Sequence, residues 1–113
     1  MDSVHGSASC VAPTASARVR LRPLDPTGVR ILGGLLGERQ RINREGTLLR
    51  GAEELERAGT LENLRIAAGR SAGVRHGMVF SDTDVYKWLE ALAWENAREP
   101  DEELERLASE TTD

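Results

Sequence analysis

Aromatic residues are scarce in this 113-residue chain: they make up 4% of it, and Phe80, Tyr86, Trp88 and Trp94 are the full set. All four lie within residues 80–94. Aromatic side chains bury the most surface per residue, so the core is expected around that one segment. Cysteine is scarcer still. A lone Cys10 excludes an internal disulfide and any multi-cysteine metal site within the chain. It stands in a Ser/Ala/Gly stretch, where a mobile bystander thiol is expected. The two histidines, His5 and His76, are far apart, and neither has a partner at the i, i+4 spacing of a helical metal pair. No metal ligand, no cofactor and no catalytic residue is assigned within this chain.

Long apolar runs are also missing. Nothing approaches the ~18 consecutive apolar residues of a membrane-spanning helix, so no membrane partner is expected. Residues 1–17 lack the basic and apolar regions of a secretory signal. They are expected to form a disordered leader, and a cytoplasmic location follows. The net charge of −4 conceals an asymmetry. Residues 1–50 carry eight arginines against four acids, whereas residues 51–113 carry seven basic residues against fifteen acids. The basic half has no aromatic residue to stack on a base, and its arginines are scattered, so no nucleic-acid partner is expected.

What is present reads as mostly helix. Residues 18–34 are expected to form a short β segment, with Val19 and Leu21 on one face, a stop at Pro23, a turn at Asp25-Pro26-Thr27-Gly28 and a second extended piece from Val29 to Leu32. From Leu35 to Ala58 an apolar stripe recurs at loose helical spacing. Gly46 and Gly51 interrupt it, each costing about 1 kcal/mol in a helix interior, which predicts a kink or break near 46–51. A short helix is expected over Leu61–Ala68, with Leu61, Leu64 and Ala68 on one side. Met78-Val79-Phe80 gives the loop at 70–81 an apolar insert, which predicts a loop turned inward; a hydrophobic staple is the alternative. The clearest element is a helix over Thr83–Arg98, capped by Ser81 or Asp82, with Val85, Trp88, Leu89, Leu92 and Ala93 on one face. Asp101 is expected to cap a last helix.

Carboxylates abound, and most belong to solvated faces. Asp82 and Asp84 stand apart because they flank an apolar loop and an aromatic helix. Two readings stay open: a carboxylate pair suited to acid/base work, or acidic residues placed to favour a helix start. Gly33-Gly34-Leu-Leu-Gly37 lacks the Gly-Lys-Ser/Thr ending of a phosphate loop.

The stretch His76-Gly-Met-Val-Phe-Ser-Asp-Thr-Asp-Val-Tyr-Lys-Trp-Leu-Glu90 resembles a motif of family 127 glycoside hydrolases, the β-L-arabinofuranosidase family. Gly33-Gly34 with Glu38-Arg39-Gln40-Arg41 is similar to that family's opening motif. Thr47-Leu48, Leu55-Glu56, Gly59, Asn63-Leu64-Arg65, Ala67-Ala68-Gly69-Arg70 and Pro100-Asp101 with Glu103-Leu104 fall where it has similar residues. The resemblance covers roughly residues 18–110. Leu35-Leu36 departs from the family's Phe-Trp, and Gly51 falls in a helix.

The resemblance implies a mainly α fold, with residues 35–113 as the first helices of an (α/α)6-barrel catalytic domain that is incomplete as it stands. It implies retaining hydrolysis of β-L-arabinofuranosides by a zinc-bound cysteine nucleophile. That cysteine, the zinc ligands and the acid/base glutamate lie downstream of any matching position here, and Cys10 sits in the unmatched leader. What carries over is Phe80, Asp82 and Asp84 as substrate-binding residues at a pocket edge; the alternative is that they only cap and position the helix. Two functions are therefore weighed: part of an arabinofuranosidase that is inactive alone, or a stand-alone helical interaction module. In either case the apolar helix faces left without neighbours predict a marginal monomer and self-association, since a lone core of this size rarely yields more than ~3–5 kcal/mol.

Overall fold

A computed structural model of the chain describes residues 13–21 and 24–113. Five α-helices run through the described residues: α1, Gly34–Ile42; α2, Leu48–Arg57; α3, Thr60–Ala67; α4, Thr83–Arg98; and α5, Glu102–Thr112. A π-helical turn, Asn43–Thr47, joins α1 to α2 without a loop. No strand occurs among the described residues of 18–34. The segment around Asp25 instead forms a single 3-10 turn at Pro26–Gly28, closed by the Asp25 carboxylate accepting from the Thr27 amide at 2.9 Å. Extended backbone needs a ladder partner to count as sheet, and Leu24, Val29 and Leu32 here are exposed instead. Residues 1–12 of the leader, with His5 and Cys10, and residues 22–23, with the expected stop at Pro23, lie outside the described residues.

The helix ends follow local chemistry. Gly59 takes a left-handed φ of 75° between α2 and α3, a conformation that a side chain rarely tolerates. Pro100 ends α4 because the residue before a proline is driven out of helical space, and Glu99 is extended at φ −151°. Asp101 then caps α5, its carboxylate accepting from the amides of Glu103 at 2.9 Å and Leu104 at 3.3 Å. Glu102, Glu103 and Glu105 in the first turn favour the positive end of the helix dipole.

The core is small. Leu48, Trp88, Leu92 and Leu104 form its buried cluster, flanked by Leu49, Leu55, Leu89 and Leu107. Val85, also fully buried, lies on the same face of α4. Of the four aromatics, only Trp88 is buried. Its indole Nε1 donates to the carbonyl of Leu48 at 2.9 Å, filling that oxygen's second lone pair. The predicted break near 46–51 proves to be the π turn at 43–47, and α2 runs unbroken through Gly51. Gly51 is small for a different reason: a Cβ there would stand 2.1 Å from Trp88 Nε1. The expectation that Met78-Val79-Phe80 turns inward is also corrected. These residues are 66%, 85% and 62% exposed, and among the described residues no element covers them.

A polar network ties the π turn to the far end of α4. Arg44 donates to Glu95 Oε1 at 3.0 Å, to the Glu99 carbonyl at 2.9 Å and to Asp101 Oδ2 at 3.0 Å. Glu95 is buried and also receives Arg98. The extra residue of a π turn displaces a side chain from its ordinary helical direction, and here Arg44 is the residue that profits.

Candidate functional site

Phe80, Asp82 and Asp84 stand together at the head of α4 on the exposed side of the protein. Asp82 adopts helical backbone and makes no capping bond, and Ser81 donates its hydroxyl to the Met78 carbonyl at 2.9 Å instead of capping. The expected side-chain cap of α4 is therefore absent. The Asp82 carboxylate accepts the Tyr86 hydroxyl at 3.1 Å, one helical turn on. That bond, together with the carboxylate's charge, holds the Tyr86 phenol above its ordinary range. Asp84 pairs with Lys87 at 3.1 Å in an exposed i, i+3 contact. The two aspartates thus face different partners, and the structure gives them no shared proton site.

The segment leading to these residues is held from α3. Asn63, buried in α3, donates Nδ2 to the His76 carbonyl at 2.7 Å and accepts the His76 amide at 2.8 Å. Leu61, Leu64 and Ala68 share one side of α3, as their spacing predicts, but the buried residues of the helix are Thr60 and Asn63. A polar residue at i+3 from a buried threonine breaks the apolar stripe that periodicity looks for. The signal that finds it is local: Asn63 precedes a loop whose backbone has few partners of its own.

Leu61, Leu64 and Ala68 line a cleft of about 580 Å³ between α2, α3 and α5, rimmed by Glu56 and Arg65. A second cleft of about 370 Å³ lies between α4 and α5, over Leu92, Ala93, Asn96 and Leu104. Phe80, Asp82 and Asp84 line neither. The carboxylates whose pKa is displaced all go down. Glu56 is lowered by hydrogen bonding from Arg65, and Glu62 by Ser71 and then Arg65. Asp101 is lowered chiefly by the Leu104 amide. Burial pushes Glu95 up, but Arg98 and Arg44 outweigh it and hold it as the anion. A general acid needs the opposite displacement, so these four are structural anions. Among the described residues no three His, Cys, Asp or Glu side chains gather to hold a metal ion. These residues therefore do not fit the zinc site that the resemblance implies for the family. Nor, among the described residues, is any helix long and apolar enough to cross a membrane.

Comparison with known proteins bears on the same stretch. Residues 28–113 match the model of the β-L-arabinofuranosidase GH127 catalytic domain. A non-reducing end β-L-arabinofuranosidase of Bifidobacterium longum subsp. longum is 53% identical over 51 residues, which is 45% of this chain and 8% of that protein. No solved structure matches. The family match takes in all five helices, the Arg44 network and the Asn63–His76 pair; this chain belongs to the GH127 β-L-arabinofuranosidase catalytic-domain family.

Proposed function

We propose that this chain contributes the opening helices of an (α/α)6-barrel catalytic domain that hydrolyses non-reducing-end β-L-arabinofuranosides, and that the chain by itself is inactive. The observation that carries the reading is the family match over residues 28–113, joined to 53% local identity with a protein named for that activity. In this reading residues 1–17 are a leader, 18–34 a short β segment that finds its ladder partner elsewhere in the domain, and 35–113 the first barrel helices. Phe80, Asp82 and Asp84 form part of the pocket edge and touch the arabinofuranoside. Catalytic groups and the family's zinc ligands belong to other parts of the domain.

The exposed apolar side chains support the same reading. Leu32, Leu35, Leu36, Val74 and Val79 stand in water here, and large apolar side chains exposed in that number fit a surface that further chain covers. In a whole domain the further barrel helices cover it. In the isolated chain those faces pair with one another, giving self-association.

The test is a chimera in which residues 28–113 replace the corresponding opening stretch of the Bifidobacterium longum enzyme. Retained hydrolysis of a non-reducing-end β-L-arabinofuranoside is expected from the chimera, and none from the 113-residue chain. A folded chimera without activity overturns the placement, and turnover by the chain alone overturns its inactivity.

A further inference from the structure

We infer that Asn63 is the positioning residue for the segment 76–84, and through it for the pocket edge at Phe80 and Asp82; this rests on the arabinofuranosidase reading above. Both halves of its side-chain amide are committed to one residue, Nδ2 to the His76 carbonyl and Oδ1 from the His76 amide. An amide is the side chain that offers a neutral donor and acceptor side by side, so Asn63 reproduces in one residue the two-bond exchange of paired strands. The His76 side chain lies against Gly59, its Cβ 3.4 Å from where a Cβ on Gly59 would stand. The clamp therefore has a floor from the α2–α3 corner and a grip from α3.

Between Gly77 and Asp82 the hydrogen bonds are local or run to the first turn of α4. Arg75 donates to the carbonyls of Gly77 and Met78, and Ser81 donates backbone and side chain to Met78 at 3.1 and 2.9 Å. The Thr83 amide donates to Phe80 at 3.0 Å, and Tyr86 reaches Asp82. The bonds at Phe80 and Asp82 reach the first turn of α4, and the others fix one residue relative to the next few. Met78, Val79 and Phe80 are exposed and add no packing. Among the described residues, the hydrogen bonds from 72–82 to any element other than α4 are the two at Asn63. Phe80 and Asp82 are thus held between two anchors, the first turn of α4 on one side and, through His76, Asn63 on the other.

The experiment uses the chimera with Asn63→Ala and Asn63→Asp, the second keeping an acceptor for the His76 amide but losing the donor. Steady-state hydrolysis of an arabinofuranoside and hydrogen exchange are read together. Losing the clamp is expected to raise KM by about threefold to tenfold, in line with one or two lost hydrogen bonds, with kcat within about twofold, because no reacting group is touched. Exchange accelerates at 76–84 while the amides of α4 beyond its first turn and those of α5 keep their protection. Unchanged KM and unchanged exchange at 76–84 in either folded variant overturn the inference. So does uniform loss of protection across the core, which marks a general stability role. Should the unsubstituted chimera fold but fail to turn over, the arabinofuranosidase reading falls by itself, and the exchange pattern still decides what Asn63 does.

Discussion

Gly51 leaves the space that the Trp88 indole fills: a Cβ on Gly51 would stand 2.1 Å from Nε1 and 2.4 Å from Cδ1 of Trp88. The indole can therefore lie flat on α2 and deliver its N–H to the Leu48 carbonyl, 40 residues away in sequence. A glycine that weakens a helix in isolation here permits the one aromatic burial in the core.

Gly51→Ala is accordingly expected to destabilise the chain by about 2–3 kcal/mol, as overpacking of a filled core does, against the roughly 1 kcal/mol that helix propensity alone would return. Gly46, whose Cβ would meet open space, is the control: Gly46→Ala is expected to stabilise by about 0.5–1 kcal/mol. Urea titration followed by far-ultraviolet circular dichroism separates the two, and stabilisation by both substitutions would show that the Trp88 contact is not made.

Trp88→Phe keeps an aromatic ring but loses part of the buried volume and leaves the Leu48 carbonyl without its second donor. The expected cost is about 1–2 kcal/mol. Removal of Trp88 also abolishes the blue-shifted part of the tryptophan fluorescence, leaving the emission of half-exposed Trp94.

Acid sensitivity follows from Glu95. Its carboxyl is held below the ordinary value of 4.5 in the folded chain, burial being outweighed by Arg98 and Arg44. A carboxyl depressed on folding adds stability that is present above its unfolded pKa and lost as pH falls through the folded one. Stability is thus expected to decline below about pH 4.5, and Glu95→Gln is expected to be less stable at neutral pH but flatter in acid. Arg44→Met, which strips one of the two cations, is expected to cost on the order of 2–3 kcal/mol, below the ~3–5 kcal/mol of a wholly buried pair because Arg98 remains. Chemical denaturation at several pH values checks both.

Val79→Asp and Phe80→Ser alter exposed side chains that touch no core residue. Both are expected to leave helix content unchanged while shifting the isolated chain toward monomer, measured by sedimentation velocity. Monodisperse monomer in the unsubstituted chain would remove the proposed pairing of apolar faces.

Much of the helical plan was legible because its causes are local. Thr83–Arg98 runs until Pro100 forbids it, Asp101 caps α5 with its own carboxylate, and Gly59 closes α2; each is settled within about four residues. The candidate site was legible as a motif but not as a geometry. Asp82 looked like a cap and instead takes the Tyr86 hydroxyl, because its backbone is already helical and its side chain points along the turn. Met78-Val79-Phe80 looked like buried loop because apolar residues ordinarily find cover, and here no described element provides it.

By itself, the sequence determined the helix boundaries that local capping and proline set, the place of the aromatic core residue and the family resemblance. Tertiary structure alone decided that Arg44 reaches Glu95 across 51 positions, that Gly51 makes room for Trp88 and that Asn63 grips His76. Periodicity and propensity act over a turn or two of chain. A clash, an ion pair or a two-sided hydrogen bond exists only when distant segments are brought within a few ångströms.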